Sequence, residues 1–293
     1  MAHSHKKTSG LGVAFFLNLL FSIIEFIGGY LTQSSAIIAD AFHDLMDALA
    51  IGFAVLLEKF AKKPANDKFT MGFKRFSLLS AIILSLILLI GSVSMIYYSI
   101  TNFSNTKEVN SIGMFGLAVL GISVNVFGYW KIKSQKSDKH NHSSHSHHHN
   151  SANEKAVMLH LLEDVLGWLA VLIGAVIIYF TQWHWIDNIL TLFIAIFIGY
   201  NAINNLWHTF KILLQIAPDE IDTKAIKNKI LAVNHVVSID KLYVWSLDGS
   251  DHVASLIITI NNSVNSRVII ENISNIFKES NIEDITIQTN LIE

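Results

Sequence analysis

Cysteine is absent from the 293 residues. That excludes disulfides, thiolate metal sites and cysteine nucleophiles. Charge is scarce as well: Asp, Glu, Lys and Arg make up 15% of the chain, against about 25% in a typical globular protein. A net charge of -2 leaves no basic footprint of the kind nucleic acid demands. There is no H-E-x-x-H, so a membrane metalloprotease would lack its motif. No internal repeat is visible, and no secretory signal opens the chain. MAHSHKKTSG is polar and runs into a long apolar stretch without a small-residue cleavage site, which reads as a retained first span.

What is abundant is apolar surface, with 52% hydrophobic residues. A membrane helix needs about 20 mostly apolar residues. Six stretches qualify: Leu11–Leu31, Ser35–Leu57, Leu78–Ile100, Ile112–Trp130, Ala156–Phe180 and Ile186–Trp207. Lys6 and Lys7 precede the first. Lys59, Lys62, Lys63, Lys68, Lys74 and Arg75 lie between the second and third, and Lys131, Lys133, Lys136 and Lys139 follow the fourth. The opposite connections carry only Lys107. Basic residues collect on the cytoplasmic side, so both termini are expected there. Trp183 and Trp185 would sit at the outer interface.

The texture changes at Pro218. From there charged and apolar residues alternate in a soluble pattern. The expected elements are helix Asp219–Val233, strand Ser238–Leu247, strand His252–Ile260, helix Ser266–Ser280 and strand Ile285–Leu291. Asp248–Gly249 suits a hairpin turn. The α-β-β-α-β order predicts a small open sheet with two helices on one face. The domain expectation is a tail at 1–10, a six-span membrane domain at 11–217 and a cytoplasmic α+β domain at 218–293.

Ionisable groups inside a span are expensive and mark function. Span two holds Asp40, His43, Asp44 and Asp47 on one face; span five holds His160, Glu163 and Asp164, with Gly167 nearly in line. Both contain H-x-x-x-D, as His43/Asp47 and His160/Asp164. Residues four apart lie one turn apart on the same side, so imidazole and carboxylate can converge on one ion. Two such pairs supply two nitrogens and two oxygens, a tetrahedral set suited to zinc. Asp40 and Asp44 share the four-residue spacing and form an auxiliary or alternative pair. The competing interpretation is a structural hydrogen-bond network joining the two spans. Glu25 stands alone in span one and needs a partner. Asn18, Asn125 and Asp187 read singly as packing or hydration groups.

Between spans four and five lies DKHNHSSHSHHHN, with His140, His142, His145, His147, His148 and His149. Such a tract cannot build a core. It reads either as loose capture of a metal cation or as a solvated, dispensable loop. His3 and His5 carry the same idea with fewer residues.

SSAIIADAFHDLMDALA, LHLLEDVLGW, the histidine tract and LLQIAPDEID together resemble the cation diffusion facilitators, from about Phe16 to Glu293. The similarity is greatest to the zinc-transporting branch, whose transport site is formed by residues matching His43, Asp47, His160 and Asp164. The resemblance implies a homodimer in a bilayer, in a bacterial inner membrane, with a ferredoxin-like cytoplasmic domain. It also implies alternating access and exchange of cytoplasmic metal for external protons, with no prosthetic group. Arg75 matches a basic position that pairs in the family with an acid after span six, here Asp219. Ser77 stands where a glutamate is usual. Tyr243, Ile239, Asp284 and Asn290 replace metal-ligating types in the last domain, leaving His235, His252, Asp240 and Asp284 as a reduced set.

Metal needs neutral histidine and ionised carboxylate, and protons compete for the same groups. Outside protons would therefore displace the ion from His43 and His160. Two imidazoles favour Zn2+ over Mn2+, with Co2+, Cd2+ and Ni2+ open. A metal-responsive channel or receptor without coupled transport is the rival class.

Overall fold

A computed structural model describes residues 5–61, 63, 65–104, 106–137, 148–261 and 266–292. Side chains are described there except at 5–14, 17, 54, 55, 58, 59, 61, 128, 129, 131–137 and 148–161. The first six helices are α1 His5–Thr32, α2 Ser35–Ala61, α3 Phe76–Thr101, α4 Ser111–Ser137, α5 His148–Thr181 and α6 Trp185–Leu213. All six expected spans are helical, and each helix runs past its apolar stretch at one or both ends.

Among the described residues, three stretches are long and apolar enough to cross a membrane: α3, Leu162–Thr181 of α5, and α6. The apolar parts of α1 and α4 are shorter, Asn18–Thr32 and Ser111–Phe127. α2 falls short because Asp40, Asp44 and Asp47 lie within it. Length and hydropathy thus support three of the six expected spans.

The chain divides into two compact units: 1–52 with 86–203, and 53–85 with 204–293. In the first, α1 turns into α2 through Gln33, held at φ 57°. The Ser34 N–H then bonds the Gly29 carbonyl at 3.0 Å, closing the helix end. α5 also ends at a left-handed residue, Gln182 at φ 58°, where the Trp183 N–H bonds Thr181 Oγ1 instead. The core gathers Ala36, Ile37, Ala39, Met114, Ala118, Trp168, Val171, Ala175 and Ile178. Small residues on α2 and α4 let helix backbones approach. The Trp168 ring fills the space a side chain at Gly121 would take, which presses α4 onto α5.

In the second unit, α7 Thr223–Leu231, β1 Val236–Ser246, β2 His252–Ile260, α8 Ser266–Glu279 and β3 Asp284–Leu291 follow the expected order. β2 is central, antiparallel to β1 and parallel to β3. Asp222 caps α7 by accepting from the N–H groups of Lys224 and Ala225. Alternate residues Ala254, Leu256, Ile258 and Ile260 of β2 bury against Ile226 and Ile230 of α7 and Ile269, Ile273 and Phe277 of α8. This period-two burial puts both helices on one sheet face, as the sequence pattern predicts.

Candidate metal centre

The ionisable face of α2 meets α5. Asp40 is buried, and one of its carboxylate oxygens lies 3.9 Å from where a Cβ on Gly167 would stand. Asp164 is one turn before Gly167 on α5, so Asp40 approaches α5 beside it. Asp40 lies within electrostatic reach of both His43 and Asp164. Farther along α2, His43 Nε2 stands 3.7 Å from Asp47 Oδ2, with 20% and 26% of the two side chains exposed. The i,i+4 pairing read from the sequence is therefore formed on α2.

On α5 the backbone of His160 is helical, one turn before Asp164. The side chain of His160 lies outside the described residues, as do those of His140, His142, His145, His147, His148 and His149. Among the described residues no three His, Asp or Glu side chains converge closely enough to hold a metal. Of the four expected ligands, His43, Asp47 and Asp164 carry described side chains. Asp40 and Asp44 lie on the same face of α2. Glu163 is exposed.

Two further acids, Asp187 and Glu25, have defined places. Asp187, at the start of α6, caps the N-terminus of α2. Its Oδ1 accepts from Ser34 Oγ at 2.6 Å, and its Oδ2 accepts from the Ser35 N–H and Ser35 Oγ at 2.7 Å each. A carboxylate on the unpaired N–H groups at a helix start is favourable. The cap fixes the axial position of α2 and so of its acid face. Glu25 of α1 is buried, and its carboxyl faces Asp44 with Asp40 and Asp164 nearby. Asp187 stands in the first turn of α6, but no sequence signal pairs it with Ser34 across 153 positions.

The expected Arg75–Asp219 pair is not formed. Asp219 accepts from Lys211 Nζ at 2.8 Å, and this ammonium holds the Asp219 carboxyl below the ordinary range. Lys74, the neighbour of Arg75, pairs with Asp251. Arg75 Nη2 is buried without a hydrogen bond, next in sequence to Phe76 of the ring cluster Phe60, Phe69, Phe73 and Phe76. Lys211 is eight residues from Asp219 and reaches it first, which satisfies the acid locally.

The reduced set in the last domain does not form one site. Asp240 accepts from Ser238 Oγ, Thr259 Oγ1 and Asn290 Nδ2, and these donors lower its pKa. It staples three strands through neutral donors. His252 pairs across the ladder with Ser246, six residues along β1 from Asp240, or roughly 20 Å. His252 Nε2 faces Glu220 at 3.9 Å. Asp284 is exposed beside Val253, and His235 precedes β1.

Two family profiles cover almost the whole chain: the cation efflux transmembrane domain over residues 11–214 and the cytoplasmic domain of cation efflux proteins over residues 218–291. The chain belongs to the cation diffusion facilitator family, in its zinc and related-metal branch. It is an integral membrane transporter and not an enzyme. Among curated proteins, it is 29% identical over 299 residues to the cadmium, cobalt and zinc/H(+)-K(+) antiporter of Bacillus velezensis, covering 98% of this chain and 91% of that protein. The Bacillus subtilis protein of the same name is 32% identical over 253 residues, 84% of this chain and 77% of that one. Zinc transporter ZitB of Escherichia coli is 28% identical over 256 residues, 84% and 78%.

Proposed function

We propose that this chain expels a divalent cation, Zn2+ first, from the cytoplasm of a bacterium in exchange for protons. The observation that supports this reading is the approach of Asp40 on α2 to Gly167 on α5, the helix that carries the second H-x-x-x-D. The family and the names of its relatives support metal efflux. His43, Asp47, His160 and Asp164 form the substrate site, two nitrogens and two oxygens around one ion.

The cycle follows from the donors. Neutral imidazoles and ionised carboxylates bind the ion from the cytoplasm. The bundle reorients, and external protons take the imidazole nitrogens and displace the ion. The protonated site returns inward. The histidine tract captures cations loosely on the cytoplasmic side. Both termini lie in the cytoplasm, the boundary between membrane and cytoplasmic domains falls at 217–218, and two copies pair through the sheet domain.

Proteoliposomes decide this. With an inward-directed pH gradient, the wild type moves Zn2+ against its own gradient, and Asp47→Ala and His160→Ala do not, though both insert. A downhill-only flux indicates a channel and overturns antiport. Full transport by His160→Ala removes the site. Running Co2+, Cd2+ and Ni2+ beside Zn2+, with and without a K+ gradient, fixes the substrate and counter-ion.

A further inference from the structure

The connection from α2 to α3 brings four phenylalanines together. Phe60, in the last turn of α2, lies 5.4 Å from Phe73 and 5.6 Å from Phe76, ring centre to ring centre, and Phe69 lies 4.7 Å from Phe73. The backbone is folded to place them there. Asn66 Oδ1 accepts from the Lys68 and Phe69 N–H groups. Gly72, at φ 75°, returns its N–H to the Phe69 carbonyl at 3.0 Å, a left-handed turn that glycine takes without strain. Such a ring cluster would be a small core if it were covered. Instead Phe60 is 38% exposed, Phe69 42% and the neighbouring Met71 53%. Grouped exposed apolar side chains mark a surface that meets an apolar partner.

Cations flank this platform. Lys63 Nζ stands over the Phe60 ring at 4.1 Å, and the exposed Lys68 immediately precedes Phe69. Neither has a carboxylate partner among the described residues. Lys74 differs, because Asp251 holds it. Asp67 is the only acid in the sequence between Lys62 and Arg75, so the connection stays positive. Phe69 also lies 5.8 Å from Phe76, the first residue of α3, and α3 is long and apolar enough to cross a membrane. The platform therefore stands where a membrane helix begins.

We propose that this platform docks on the bilayer surface, with Phe69 and Met71 entering the acyl boundary and Lys63 and Lys68 holding the phosphate of an anionic phospholipid. Two needs identify the occupant. Exposed rings and a thioether call for an apolar phase, and unpaired ammonium groups call for an anion. The headgroup boundary beside the start of α3 offers both, and basic residues close to a membrane helix gain from anionic lipid. The proposal goes beyond the transport reading and does not depend on which cation is moved: it makes lipid charge a ligand of the α2–α3 connection.

The chain has no cysteine, so Met71→Cys gives one labelling position. Full-length Met71→Cys protein carries an environment-sensitive fluorophore in nanodiscs of phosphatidylcholine alone, or of equal parts phosphatidylcholine and phosphatidylglycerol. Acyl chains brominated near the headgroup serve as quenchers. In the mixed disc the emission is expected to shift to the blue and to be quenched about twofold, and adding Lys63→Gln with Lys68→Gln should remove most of both effects. Unlabelled protein in detergent gives a second readout, which stands alone if the labelled protein does not fold. Phosphatidylglycerol should raise the wild-type melting temperature, and the double lysine variant should need about tenfold more lipid for the same rise. A label that is unquenched in both discs overturns the proposal, because the platform then faces water or protein. Equal quenching in both discs, untouched by the lysine variant, overturns the anionic headgroup. Inorganic phosphate that matches phosphatidylglycerol in the melting assay shows a free-anion site and overturns lipid docking. A blue shift that appears in detergent and grows with protein concentration assigns the platform to a second copy of the chain and overturns it as well.

Discussion

The ammonium of Lys74, in the connection between α2 and α3, donates to the carboxylate of Asp251 at the end of the β1–β2 turn. The pair links a membrane-side loop to the sheet domain, both within the second compact unit. The hydrogen bond to Asp251 raises the Lys74 pKa above its ordinary value. A raised lysine contributes fully below its unfolded pKa of 10.5 and loses the contribution only as pH climbs through the higher folded value. The pair is therefore intact at every physiological pH. With 44% and 47% of the two side chains exposed, solvent screens it to about 0.5 kcal/mol. Lys74→Glu should lower the melting temperature by a few degrees at low salt, and Asp251→Lys should restore it. In 1 M NaCl the difference should vanish. By contrast, Asp219→Lys should not rescue Arg75→Glu, because Asp219 is engaged by Lys211.

Gly167 tests the helix apposition itself. A Cβ there would meet Asp40 at 3.9 Å, an ordinary van der Waals contact. Gly167→Ala should thus keep Zn2+ transport within about threefold of wild type. Gly167→Leu carries three more carbons toward Asp40 and should reduce transport at least tenfold in proteoliposomes with normal insertion. Equal activity in both would mean that α2 and α5 do not work at close range.

The Asp187 cap should be a stability determinant. Asp187→Ala leaves Ser34 Oγ, Ser35 Oγ and the Ser35 N–H without their acceptor, a loss of roughly 3 kcal/mol. Asp187→Asn keeps one acceptor oxygen and should lose less. Thermal melting in detergent should rank wild type above Asn above Ala. An Asp187→Ala protein as stable as wild type would show that other polar groups take over the cap.

Asp240 gives a pH signature. Its folded pKa lies below the ordinary 3.8 because three neutral donors favour the carboxylate. A depressed acid contributes stability above its unfolded pKa and loses it as pH falls through the folded one. Asp240→Asn should therefore flatten the loss of stability below about pH 4, measured by melting the full-length protein between pH 5 and pH 3. An unchanged acid limb would mean that the staple carries no linkage.

The long helices, three of them apolar enough to cross a membrane, the αββαβ domain and the His43–Asp47 pairing were legible in the chain. Each is a local matter: apolar length, period-two or period-3.6 alternation, and residues one turn apart on one helix. Covalent spacing alone places His43 beside Asp47. What the tertiary fold decided was partnership across distance. Asp187 against Ser34 spans 153 positions, Lys74 against Asp251 spans 177, and Glu25 against Asp44 joins two helices. No local pattern distinguishes Lys74 from Arg75 as the pairing residue, or Lys211 from Arg75 as the partner of Asp219. Side-chain reach in a packed assembly makes that choice. Sequence set which groups could bind a cation, and the approach of α1 and α5 to α2 set which of them stand together.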